Sequence, residues 1–166
     1  MRKKEQELKF SNKSCVQCFG CVERELHFML KEIGKNPKSL EVFREELFHN
    51  RGAGHHRHLL YREFYVIGMI KLFHNMGFTI PVAIQIFFDG VFTGSSFLKE
   101  MFVSKGFFFT ARSNFGKNSF ENIDVVLDWE QCMEWDRLWG MFVNMECFNA
   151  VVSTFVEKIL LDKCSD

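Results

Sequence analysis

The chain reads as a mostly α-helical protein: a helical head followed by a long C-terminal helix. Three observations predict this. Apolar residues recur at three- and four-residue spacing through most of the sequence. Only two prolines interrupt its 166 residues. Hydrophobic residues make up 47% and charged residues 25%, the balance of an ordinary packed core.

The first 21 residues form a basic, cysteine-containing segment, expected to be loosely ordered at its start. From Val22 to Ile33 the positions Val22, Leu26, Met29, Leu30 and Ile33 fall on one helical face, and Gly34 ends the run. Asn36-Pro37 reads as a cap with proline in the first turn, opening a second short helix with Leu40, Phe43, Leu47 and Phe48 on its apolar side. Residues 49–58 carry two glycines, two arginines and four histidines and read as a polar loop or hairpin. Helical spacing returns from Leu59 to Met76 and stops at Gly77; Thr79 and Pro81 then begin a further helix.

Residues 91–120 form a connection whose structure the pattern leaves open, although Phe107-Phe108-Phe109-Thr110 has strand character and Phe97 to Val103 helical character. In the expected long helix, 121–166, Trp135, Leu138, Phe142, Met145, Asn149, Val152, Val156 and Ile159 alternate by three and four. That is a heptad seam with one polar member, on the order of 40 Å long at 1.5 Å per residue. A lone Asn at such a position fixes register and oligomer number, so these residues are expected to form a homodimer, the alternative being a helix packed within one chain.

Charge constrains function. Twenty-one basic and twenty-one acidic side chains leave no global field, so any anionic partner must be met by local clustering. The basic Arg2-Lys3-Lys4 start is followed by no apolar stretch, and the longest apolar run, Phe78 to Phe88, is far too short to span a bilayer. No membrane partner is expected. Six cysteines without an export signal fit a reducing cytoplasm.

Cys15-Val-Gln-Cys18-Phe-Gly-Cys21 is the densest local pattern. Three thiolates at this spacing are a candidate donor set for zinc or an iron–sulfur cluster, but a closed site needs a fourth ligand, and His27 or Cys132 serves only where the fold brings it near. Otherwise they are small apolar residues. No metal or cofactor is assigned. The histidines around 49–58 have no acidic or thiol companion nearby and, beside Arg51 and Arg57, suit phosphate better than metal. No phosphate-loop, zinc-protease or nucleophile-elbow motif occurs. Glu45-Glu46, Glu130 with Glu134, and Asp124 with Asp128 are spaced like solvated faces, so no enzymatic activity is expected.

Gly54-His55-His56-Arg57, then Tyr61-Arg62-Glu63-Phe64, Val66, Ile67, Ile70, Leu72 and Phe73, and finally Met76-Gly77-Phe78-Thr79-Ile80 with Ala83 and Ile84, resemble the wing and following helices of the MerR family of bacterial transcription regulators. Upstream, Pro37-Lys38-Ser39-Leu40-Glu41-Val42-Phe43-Arg44 resembles the family's second helix. The resemblance covers about residues 28 to 88. It implies a winged helix-turn-helix-like domain over 22–90, with the helix from Pro37 in the major groove and the loop from Arg51 to His58 against the backbone. A homodimer would hold duplex DNA as a transcription regulator. The contacts it implies are Lys35, Lys38, Ser39, Arg44, Arg51, His55, His56, Arg57 and Arg62. A helical protein–protein interaction module with no nucleic-acid role is the other reading.

Overall fold

The computed structural model describes residues 8–48, 58–91, 106–112, 123–126 and 137–164. The described chain is mostly helical and falls into two compact units, Met1–Asp89 and Gly90–Asp166.

The first unit opens with strand β1 (Lys9–Ser11), which runs directly into α1 (Asn12–Phe19). Ser11 caps α1: its hydroxyl accepts from the Ser14 N–H, and the Ser14 hydroxyl accepts from the Ser11 N–H. Gly20, at φ 67°, closes the helix in the left-handed conformation that glycine adopts without steric penalty. Helix α2 (Glu23–Ile33) follows, with Leu26, Met29, Leu30 and Ile33 buried as their spacing predicts. Its first turn is tied by Glu25, whose carboxylate accepts from the Val22 N–H at 3.2 Å.

Strand β2 (His58–Leu60) pairs antiparallel with β1, Phe10 opposite Leu59. It leads into α3 (Tyr61–Asn75), whose residues 63–70 are all buried. A helix apolar on every side belongs in a core, and α3 packs against α1, β1, β2 and the short α4 (Ile80–Gln85), which also meets α2. A π-helical turn, Ile86–Val91, ends the unit with Phe87 and Phe88 buried edge to face. Phe64 lies at the aromatic centre, stacked on Phe10 at 4.3 Å between ring centroids and 4.6 Å from Phe19.

In the second unit an antiparallel sheet has the order β4-β3-β5, built from β3 (Gly106–Arg112), β4 (Ile123–Val126) and β5 (Arg137–Asn144). An irregularity at Ala111/Arg112 shifts the register. Helix α5 (Met145–Cys164) starts where β5 ends and lies against β3. Asn144 caps it, its side-chain oxygen accepting from the Cys147 N–H at 3.0 Å.

Residues 1–7, where a loose start is expected, lie outside the described residues, and from residue 8 onward Leu8, Phe10 of β1 and Cys15 of α1 are buried. Two expectations are corrected. The helix expected from Pro37 is instead two 3₁₀ turns, Pro37–Glu41 and Glu45–Leu47, because the Arg44 N–H bonds a Glu63 carboxylate oxygen at 3.0 Å rather than the preceding turn. The connection 91–120 contains the central strand β3, as the phenylalanine run suggests. Among the described residues, the long helix expected over 121–166 runs from Met145 to Cys164. Leu138 and Phe142 belong to β5, where backbone pairing with Phe107–Phe109 outweighs a spacing that equally fits a helix. Trp135 and the helix expected at Phe97–Val103 lie outside the described residues.

Candidate functional site

The most elaborate polar centre is the joint between the 3₁₀ turns and the start of α3. Glu63, 0% exposed, sits in the first turn of α3 and faces Arg44. One carboxylate oxygen accepts from the Arg44 backbone N–H and from Nε, both at 3.0 Å. The other accepts from Arg44 Nη2 at 3.1 Å and from the Leu60 N–H at 2.6 Å. Arg44 also donates to the His58 carbonyl and to Glu46. A buried carboxylate is tolerated when paired and fully hydrogen-bonded, which is the arrangement here. Its bond to Glu63 holds the guanidinium above its ordinary pKa, against an opposing push from burial.

This geometry decides where the expected DNA contacts stand. Arg44 is engaged within the unit. Lys38 donates to the Phe88 carbonyl and to Asp89, at 3.2 and 3.1 Å, fastening the 3₁₀ turn to the end of the π turn. Ser39 is buried, and its carbonyl accepts from the Val42 and Phe43 N–H groups. Lys35 is exposed and pairs with Glu32 at 2.6 Å. Arg62 is exposed on the first turn of α3. Arg51, His55, His56 and Arg57, the expected wing, lie outside the described residues. The segment from Pro37 therefore spends Lys38, Ser39 and Arg44 on its own fold.

A second polar centre joins α2 to α3. Lys71 donates to Glu25 at 2.5 Å, and the same oxygen lies 3.2 Å from His74 Nε2. His74 Nδ1 is 2.7 Å from the Phe78 carbonyl, so the ring also fastens the turn that follows α3. Burial pushes the Glu25 carboxyl upward, but the bonds from Lys71 and the Val22 N–H and the nearby charges outweigh it, and the net shift is below the usual carboxylate range. The sign follows: this contribution to stability is complete above the unfolded carboxyl value and disappears as pH falls through the depressed folded one. Glu25→Gln should flatten the acid limb of a urea-midpoint profile relative to wild type, with the two converging at low pH.

Of the three N-terminal thiols, Cys21 lies near enough to this centre to feel the charges of Glu25 and Lys71. Burial pushes all of them up: Cys18 to about 12, with help from Cys21, and Cys21 to about 11, with help from Glu25 and opposed by Lys71. Cys15 is driven higher still, by burial first and then by Cys21 and Cys18. Such thiols are poor nucleophiles at neutral pH. Among the described residues no three His, Cys, Asp or Glu side chains gather as a metal site. Native-state alkylation followed by mass mapping should modify the exposed Cys147 and leave Cys15 and Cys21 untouched until denaturant is added. Equal native labelling of all three would contradict the packing.

In the expected seam, Met145, Val152 and Val156 are buried within the single chain, while Asn149 and Ile159 are half-buried. Much of the face expected to meet a second copy is thus already covered. Sequence reading missed the Arg44–Glu63 pairing and the Glu25–Lys71–His74 centre. The signal for both was a Glu three residues into a helix after an apolar residue, the acidic half of a capping box. No described helix is long and apolar enough to cross a membrane. No protein-family model, curated protein or solved structure matches the chain.

Proposed function

We propose that this protein is a non-enzymatic interaction module that engages a protein partner through its helical surfaces. One observation carries the reading: the residues of the Pro37–Phe48 segment expected to meet DNA have partners or burial within their own unit, while several large apolar side chains are exposed. Lys38, Ser39 and Arg44 are bonded or buried internally. Phe28 is 44% exposed, Leu40 56%, Val151 50% and Leu161 69%. Raised thiol pKa values and a carboxylate committed to Lys71 further support binding over catalysis.

Binding of duplex DNA as a MerR-like homodimer is the second reading, favoured by the exposed Arg62 immediately after β2. The two separate in one pair of measurements. A photo-reactive residue in place of Leu40 or Val151 should give discrete protein adducts, and random duplex DNA should show no binding at low salt. Steeply salt-dependent duplex binding that is weakened in Arg62→Ala, with no adducts, would reverse the choice.

A further inference from the structure

We propose that His74 is a proton-operated clasp: with protons on both ring nitrogens it ties the turn after α3 to α2, and on losing one of them it lets that turn loosen. The clasp lies within the first unit and works whatever the protein binds.

Both ring nitrogens of His74 face an acceptor. Nδ1 lies 2.7 Å from the Phe78 carbonyl oxygen, and Nε2 lies 3.2 Å from Glu25 Oε1. A neutral imidazole has one N–H and one lone pair, whereas the imidazolium has two N–H groups. Either neutral tautomer therefore turns a lone pair onto an oxygen. With the proton on Nδ1 the lone pair meets the Glu25 carboxylate; with it on Nε2 the lone pair meets the Phe78 carbonyl. Only the charged ring offers a proton to each. The side chain is 35% exposed, so water can deliver and remove the proton without unfolding.

The charges around the ring set the pH range. Among the described residues they come from Glu25 on α2 and from Lys71, one turn earlier on α3. Lys71 donates to the same Glu25 oxygen at 2.5 Å and so opposes a second cation there. Burial pushes the Glu25 carboxyl up, but the bonds from Lys71 and the Val22 N–H hold it below the usual range. Glu25 is thus ionised wherever an imidazole exchanges its proton, near neutrality. Cys21, which burial pushes up to about 11, is uncharged there. Helix α4 carries no titratable side chain. The sign follows: the clasp is closed on the acid side of the imidazole range and opens as pH rises through it.

The held turn passes the change onward. Gly77, at φ 104°, donates its N–H to the His74 carbonyl at 3.0 Å, and the Phe78 N–H reaches the Phe73 carbonyl at 3.4 Å. Helix α4 begins two residues beyond Phe78 and packs on both α2 and α3, so the ring sits where these three helices are joined.

Hydrogen exchange of the full-length chain tests this, read as protection factors, which remove the intrinsic pH dependence of exchange. Protection at the Gly77 and Phe78 amides should fall roughly three- to tenfold from about pH 5 to about pH 8, the scale of one hydrogen bond. His74→Gln, which cannot be charged, should show the same low protection at every pH. Glu25→Gln should also flatten the profile, because a neutral ring with its proton on Nδ1 then meets no carboxylate. His27→Gln, at an exposed histidine 4.0 Å from Glu23, should leave the fall intact. Unchanged thermal unfolding at acid pH establishes that each variant is folded. A flat wild-type profile overturns the proposal, since a ring that only fills space would give one. So does a fall that survives in His74→Gln or in Glu25→Gln.

Discussion

Glu63→Ala is expected to destabilise the first unit by about 3–5 kcal/mol, the usual consequence of removing one partner of a buried ion pair. The carboxylate accepts from the Arg44 N–H, its guanidinium and the Leu60 N–H, so its loss leaves donors from three sites facing a void. The 3₁₀ turns are held to α3 largely through these bonds, and hydrogen exchange should accelerate first in residues 37–48. Glu63→Gln retains one acceptor and should cost less. The double variant Arg44→Met, Glu63→Leu should recover much of the loss, because it also removes the guanidinium that has lost its buried partner. Urea unfolding of the four proteins tests this. A double variant no more stable than Glu63→Ala would show that the individual backbone bonds, rather than the stranded charge, dominate.

Phe64→Ala is the second large effect, expected at about 3–5 kcal/mol for a buried aromatic side chain replaced by alanine. Phe64 is 0% exposed and joins Phe10 of β1, Phe19 of α1 and the core of α3 in one aromatic cluster. The loss should not be confined to α3. Phe10→Ala in the same background should add less than it does alone, since both substitutions dismantle the same 4.3 Å ring stack. Additive losses in thermal unfolding would mean that the two rings contribute independently.

The parts of the fold that sequence made legible are those in which local pattern and tertiary packing agree. Leu26, Met29, Leu30 and Ile33 are spaced for one face and are buried on one face. Thr79 and Pro81 mark the start of α4, and Gly77 the end of the preceding turn. Where sequence reading failed, a distant partner decided the outcome. Pro37, Leu40, Phe43 and Leu47 fit a helix, but Glu63 captures the Arg44 N–H nineteen residues away and the segment breaks into 3₁₀ turns. Leu40, expected on the apolar side, ends up exposed. Likewise, Leu138 to Val143 satisfies helical spacing and strand composition alike, and pairing with β3 settles which one forms. The DNA contacts that the resemblance implies rest on charge and placement along the chain, and neither property reveals that Lys38 and Arg44 have internal partners.

The pairing of β1 with β2 also governs the order in which this chain is able to fold as it is made. Phe10 reaches the ribosomal exit long before Leu59, its cross-strand neighbour, and before Phe64, on which its ring stacks. Until α3 has emerged, Phe10 and Cys15 have no core to enter, and α1 is too short to persist alone. Bringing the two strands together then closes a loop spanning α2 and both 3₁₀ turns, an entropic barrier that local helix formation does not lower. A nascent chain stalled before residue 60 would hold these apolar side chains in the open. Apolar side chains left in the open in this way are the surface that chaperones recognise on unfinished chains.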